Sequence, residues 1–121
     1  MTAEELEMAA AFLEDYALRP PRAEPHHPAV DSPRWREIQN RLRDLAARIR
    51  RAGRNDPGVE FLDTDAQFLE TQSARLFRMH HWILRGPPTP ESRMMAESAK
   101  ATAERLPRIG AMIRSRRVRR A

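Results

Sequence analysis

Between Ser32 and Gly53 the apolar residues Trp35, Ile38, Leu42, Leu45, Ile49 and Ala52 recur at strict 3-4 spacing, which only an amphipathic helix turns into one continuous seam. Ser32 is placed to cap that helix, with Pro33 at the first helical position where a missing N–H costs nothing. Gly53 stands where glycine is favoured just past a helix C-terminus. A seam of this length, about 30 Å at roughly 1.5 Å per residue, has to be covered by other helices, and the rest of the chain supplies candidates.

Thr2 and Glu5 form a capping box, and Leu6, Ala9, Ala10, Leu13, Tyr16 and Ala17 follow at helical spacing, predicting a first helix over 3–18. Met8 and Phe12 lie off that stripe, one turn apart, and read as a partner surface. Pro20, Pro21, Pro25 and Pro28 make 19–32 an extended connection, because each ring fixes φ and restrains the residue before it. Asn55 to Gly58 form a turn. Asp63 or Thr64 then caps a third helix over 65–85, with Thr64 and Gln67 resembling a second capping box and Gly86, Pro87 and Pro88 ending it. Its apolar set, Phe68, Leu69, Leu76, Phe77, Met79, Trp82, Ile83 and Leu84, is broad enough for the central place in a bundle. Thr89, Pro90 and Glu91 open a fourth helix over 90–113, whose stripe of Met95, Ala99, Thr102, Ala103, Leu106, Ile109, Gly110 and Ile113 keeps one register through Pro107. The proline predicts a kink or a break there, and the short Gly86–Thr89 link makes the last two helices neighbours.

The expected fold is therefore all-α: a single antiparallel four-helix bundle-like domain over 1–113, followed by an arginine-rich tail over 114–121. Only four glycines and few β-branched residues argue against sheets. The 121-residue chain is long enough to bury a core without staples, and with no cysteine it has no disulfides, no thiolate nucleophile and no cysteine-type zinc site. The acidic start, Met-Thr-Ala-Glu-Glu, has no basic leader region, and no apolar run reaches the roughly 20 residues of a membrane span, so a cytoplasmic protein is expected. Lys100 is the sole lysine among 22 basic residues. Such a skew points to GC-rich, bacterial coding DNA, although bidentate phosphate or carboxylate contacts would favour arginine as well.

Charge alternates in blocks that coincide with the helices: the net is −5 over 1–33, +6 over 34–54, −3 over 55–92 and +7 over 93–121. On the second helix Arg34, Arg41 and Arg48 rim one side of the seam and Arg36, Arg43 and Arg50 the other, while Glu37, Asn40, Asp44, Ala47, Arg51 and Arg54 occupy the outermost face. These arginines can pair with Glu5, Glu7 and Glu14 of the first helix, or within the helix as Glu37–Arg41 and Asp44–Arg48. The terminal cluster Arg114, Arg116, Arg117, Arg119 and Arg120 has no acidic residue after it and would hold phosphate in a salt-sensitive, sequence-independent way, the second-helix arginines extending the site. No aromatic residues interleave with it to stack on single-stranded bases.

His26/His27 and His80/His81 lack the Glu-x-x-His pattern of a helical di-metal site, since Phe77 and Arg78 precede the second pair by three residues and Glu24–His27 lies among prolines. His80 is expected to be hydrogen-bonded in the interior and His81 to face outward. There is no nucleophile elbow, no phosphate-cradling glycine loop and no metalloprotease motif, so no catalytic residue, metal or cofactor is expected. Trp35 and Trp82 take core-type positions, as do most methionines, with Met94 left beside Met8 and Phe12 as a candidate for contact with another protein. The sequence points to a non-catalytic regulatory or adaptor protein acting by helix contact with a protein partner or with itself as a homodimer. The alternative is a nucleic-acid-associated protein using its arginine-rich C-terminus.

Overall fold

The computed structural model describes residues 2–21 and 32–120, with side chains as far as Arg116. The protein is all-α, as the periodicity predicts: α1 (Ala3–Leu18), α2 (Pro33–Gly53), α3 (Asp63–Leu84) and α4 (Pro90–Arg120), with no strand among the described residues. The helices pack in antiparallel, bundle-like pairs, α1 on α2 and α3 on α4. One compact unit holds α1, α2 and the chain as far as Glu60, and the other begins at Phe61 and holds α3 and α4. Most of the proline-rich connection, with His26 and His27, lies outside the described residues.

In the first pair both caps form as read from the sequence. The Glu5 N–H donates to Thr2 Oγ1 at 3.1 Å while Glu5 Oε2 accepts from the Thr2 N–H, and the Trp35 N–H donates to Ser32 Oγ at 3.2 Å. The whole predicted stripe of α1 is buried against the seam of α2, which gains Ala46. Trp35 is fully enclosed, and the Tyr16 ring meets it nearly edge-on with centroids 5.9 Å apart, a favoured aromatic geometry. Gln39 Nε2 donates to the Ala17 carbonyl at 2.8 Å, so α2 supplies a partner to one of the carbonyls that the end of α1 cannot satisfy internally.

Gly53 departs from its expected role. It is the last residue of α2, not the residue past it, and the left-handed conformation falls on Asn55, with φ at 60°. Asparagine tolerates that region better than most residues. Gly53 instead lies against α1, where a Cβ would stand 3.5 Å from Leu6 Cβ and 3.7 Å from the Ala3 carbonyl oxygen.

In the second pair α3 starts two residues earlier than expected. Its N-cap is Leu62, whose N–H donates to the carboxylate of Asp65 at 2.9 Å, so the capping contact comes from the third helical residue reaching back, not from Asp63 or Thr64. Ala66, Phe68, Leu69, Leu76, Met79 and Ile83 of α3 are buried, as are Ala96, Ala99, Ala103, Leu106, Ile109 and Ile113 of α4. The small residues of α4 let the helices approach closely: a Cβ on Gly110 would lie 3.6 Å from both the Cβ and the carbonyl oxygen of Ala66.

The fourth helix passes through Pro107 without breaking and runs on through the arginine-rich segment to Arg120, so residues 114–120 extend the helix and do not form a separate tail. An α-helical N–H bonds the carbonyl four residues earlier. Pro107 has no N–H, which leaves the buried Ala103 carbonyl without its usual donor. The hydroxyl of Ser73 on α3, itself buried, donates to that carbonyl. A polar residue on the packed face of α3 thus replaces the bond that the proline removes from α4.

Candidate functional site

The α3–α4 turn is built to be rigid. The Arg85 N–H bonds the Trp82 carbonyl and the Gly86 N–H the Ile83 carbonyl, closing the last turn of α3, after which Pro87 and Pro88 restrict the backbone. Thr89 and Ser92 cap α4 reciprocally: the Ser92 N–H donates to Thr89 Oγ1 at 3.1 Å and the Thr89 N–H to Ser92 Oγ at 3.0 Å. The Ser92 hydroxyl also donates to the Pro87 carbonyl at 2.9 Å, tying the helix start back to the turn.

Against this frame opens a cleft of about 400 Å³ lined by Trp82, Ile83, Arg85, Pro87, Ser92 and Met95, with Gly86 at the turn. Its lining is apolar apart from Arg85 and the Ser92 hydroxyl. Trp82 is 44% exposed, which corrects its expected place in the core, and Leu84, at 59%, also lies outside the core. Met94 is 72% exposed and Met95 38%. The broad apolar girth of α3 is therefore not covered all round: Leu76, Met79 and Ile83 are buried while Trp82 and Leu84 meet solvent. Arg78 and Arg85 share the helix face of Trp82, at i−4 and i+3, and Arg78, Arg85 and Arg93 are all exposed near this end of the pair, as is Glu91. Residues of this kind, tryptophan, methionine and arginine, are enriched where protein interfaces are most deeply buried.

None of the other candidate residues from the sequence is among those that line the cleft. Met8 is exposed and Phe12 half-buried on α1. His80 is half-buried with Nδ1 2.8 Å from the Ala96 carbonyl, to which it donates, and His81 is exposed, as expected. Among the described residues no three His, Asp or Glu side chains gather as a metal-ligand set.

Of the terminal arginines, Arg114 forms an ion pair with Glu70 of α3, whose hydrogen bonds raise the guanidinium pKa further above its ordinary value. Arg116 is half-buried, and the side chains of Arg117, Arg119 and Arg120 lie outside the described residues. On the first pair Arg50 is clamped between two acidic residues of α1. Its Nε donates to both Glu7 oxygens at 2.9 and 3.1 Å and its Nη1 to Glu14, and that hydrogen bond holds the Glu14 carboxyl below the usual glutamate value. Of the acidic partners expected for α2, Glu7 and Glu14 meet Arg50, whereas the Glu5 carboxylate belongs to the cap at Thr2. The intrahelical pair Asp44–Arg48 forms at 3.0 Å.

Fold and site together define an all-α protein of paired helical hairpins that presents an apolar, arginine-flanked cleft at the turn of its second hairpin. The sequence matches no protein-family model, no curated protein and no solved structure. No helix is long and apolar enough to cross a membrane among the described residues.

Proposed function

We propose that the protein is a non-catalytic regulatory or adaptor module that docks an amphipathic segment of a protein partner in the cleft at the α3–α4 turn. The observation that carries this reading is the exposure of Trp82 over a preformed apolar cleft. Trp82 is 44% exposed, so covering the rest of its ring recovers roughly half of the about 1.5–3 kcal/mol that full burial of a large apolar side chain provides. The hydrogen bonds of Ser92 and the paired prolines hold the cleft open beforehand, so little ordering cost falls on binding. Arg78, Arg85 and Arg93 against Glu91 give the rim a positive excess and favour a partner segment with carboxylates beside its apolar anchor.

The test is a selection of displayed helical peptides against the intact protein, with counter-selection on Trp82→Ala. Enriched peptides are expected to combine a bulky apolar residue with flanking Asp or Glu. Their affinity should fall at least tenfold on Trp82→Ala and also on Arg85→Glu. Failure to recover any peptide that depends on Trp82 overturns the reading. Sedimentation velocity examines the homodimer alternative: a dimer that Trp82→Ala dissolves would make a second copy of the chain the occupant of the cleft.

A further inference from the structure

A second surface, on the other helical pair, has a different chemistry. The seam of α2 buries Trp35, Ile38, Leu42, Leu45, Ala46, Ile49 and Ala52, and the opposite side carries one stripe of five exposed residues, Arg36, Asn40, Arg43, Ala47 and, just past the helix end, Arg54, bordered on one side by exposed Glu37, Asp44 and Arg51. At about 100° per residue those five fall within about 60° of one another around the axis, and at roughly 1.5 Å per residue they extend over about 27 Å. Arg36 and Arg43 thus belong to an outward stripe, although a strict heptad count puts them on the rim of the seam. Among the described residues none of the guanidiniums of Arg36, Arg43 and Arg54 is held by a carboxylate. The nearby acids of α1 and α2 have arginines of their own, Glu7 and Glu14 taking Arg50 and Asp44 taking Arg48, while Glu37 lies farther round the helix.

We propose that this face of α2 binds the phosphate backbone of duplex DNA. The features of the face select among polyanions. Among the described residues α2 exposes no large apolar side chain, so it has nothing to insert into a lipid surface. It exposes no aromatic ring on which single-stranded bases would stack. It offers arginine forks, which match phosphate oxygens bidentately, separated by the short side chains of Asn40 and Ala47, which let the helix come close. Arg36 and Arg43 are about 10 Å apart along the axis, comparable with the roughly 12 Å width of the major groove, so the two reach phosphates on opposite walls while Asn40 faces the space between. Of the terminal arginines, Arg114 is committed to Glu70.

The face and the cleft share no residue, so each proposal can fail alone. The experiment is a fluorescence-anisotropy titration of the full chain with a labelled mixed-sequence DNA duplex between about 50 and 200 mM salt. Binding should weaken log-linearly with salt, and the slope should shrink by about 0.9 for each arginine replaced by glutamine. The triple substitution Arg36→Gln, Arg43→Gln, Arg54→Gln should lose at least tenfold in affinity with helicity unchanged, since all three side chains are exposed. Trp82→Ala and the triple substitution Arg117→Gln, Arg119→Gln, Arg120→Gln should keep most of the binding. Absence of binding at the lowest salt overturns the proposal. So does loss confined to the Arg117, Arg119 and Arg120 variant, which would return the contact to the C-terminus. Equal or tighter binding to vesicles rich in phosphatidylserine, with the same dependence on the α2 arginines, would assign the face to a membrane surface and overturn it as well.

Discussion

The bond between Ser73 and the Ala103 carbonyl is predicted to exist because of Pro107, and that dependence can be measured. Replacing Ser73 with alanine leaves a buried carbonyl with no donor from Pro107 and no room for bulk water, at a cost of about 1–3 kcal/mol. Replacing Pro107 with alanine restores the N–H that α4 lacks and relieves the interior proline, which should stabilise the protein by as much as about 3 kcal/mol. In that background the Ala103 carbonyl has its helical partner again, and Ser73→Ala removes a hydroxyl that is no longer needed. Its cost should then drop below about 0.5 kcal/mol. The double-mutant cycle, read by urea unfolding followed with far-UV circular dichroism, should give a coupling of about 1–2 kcal/mol. Independent sites add to within about 0.3–0.5 kcal/mol. Additivity of that quality would refute the claim that the serine stands in for the missing N–H.

Gly110→Ala should stabilise by about 1–2 kcal/mol, combining the helix preference of alanine with burial of a methyl group, because the new Cβ meets Ala66 at ordinary contact distances of 3.6–3.7 Å. Gly110→Leu should instead destabilise by forcing the helices apart, and thermal melting distinguishes the two. Asn55→Ala should cost about 1 kcal/mol, since the residue sits at φ 60°, while Asn55→Gly should be neutral or slightly stabilising in the same melts. The Arg50 hydrogen bond depresses the Glu14 pKa in the folded state, so its contribution is present above the unfolded carboxyl value and is lost as pH falls through the folded one. Glu14→Gln should therefore cost at most about 1 kcal/mol at neutral pH, the pair being partly solvent-screened, and nothing once the carboxylate is protonated in the parent, as a pH series of urea midpoints will show.

The sequence made the first helical pair nearly transparent. Both α1 and α2 have a single clean stripe, and Thr2 and Ser32 are strong capping residues with no close competitor, so boundaries and core follow from local rules. The start of α3 was harder to read because Asp63, Thr64 and Asp65 all resemble caps, and the contact that forms comes from Asp65 reaching back to Leu62. Trp82 and Leu84 lie outside the core for a different reason: periodicity reports which residues can share a face, not how deeply that face is covered. The Ser73–Ala103 and Arg114–Glu70 contacts join residues 30 and 44 positions apart, beyond any local pattern, although a serine on an otherwise apolar stripe thirty-odd residues before a mid-helix proline was a usable signal. The persistence of α4 beyond Ile113 follows from the high helix propensity of arginine and from the attraction of cations to a helix C-terminus.

Packing each helix chiefly on a helix adjacent in the chain also sets the order in which the protein can be made. Fourteen residues connect α1 to α2 and five connect α3 to α4, so closing either hairpin costs little loop entropy. Such local topologies fold in microseconds to milliseconds, whereas a ribosome adds only about 5–20 residues each second. The first hairpin has every residue of its compact unit once Glu60 has emerged. The Tyr16–Trp35 ring contact and the Arg50 clamp involve only residues of that unit, so they can form while the second hairpin is still being synthesised.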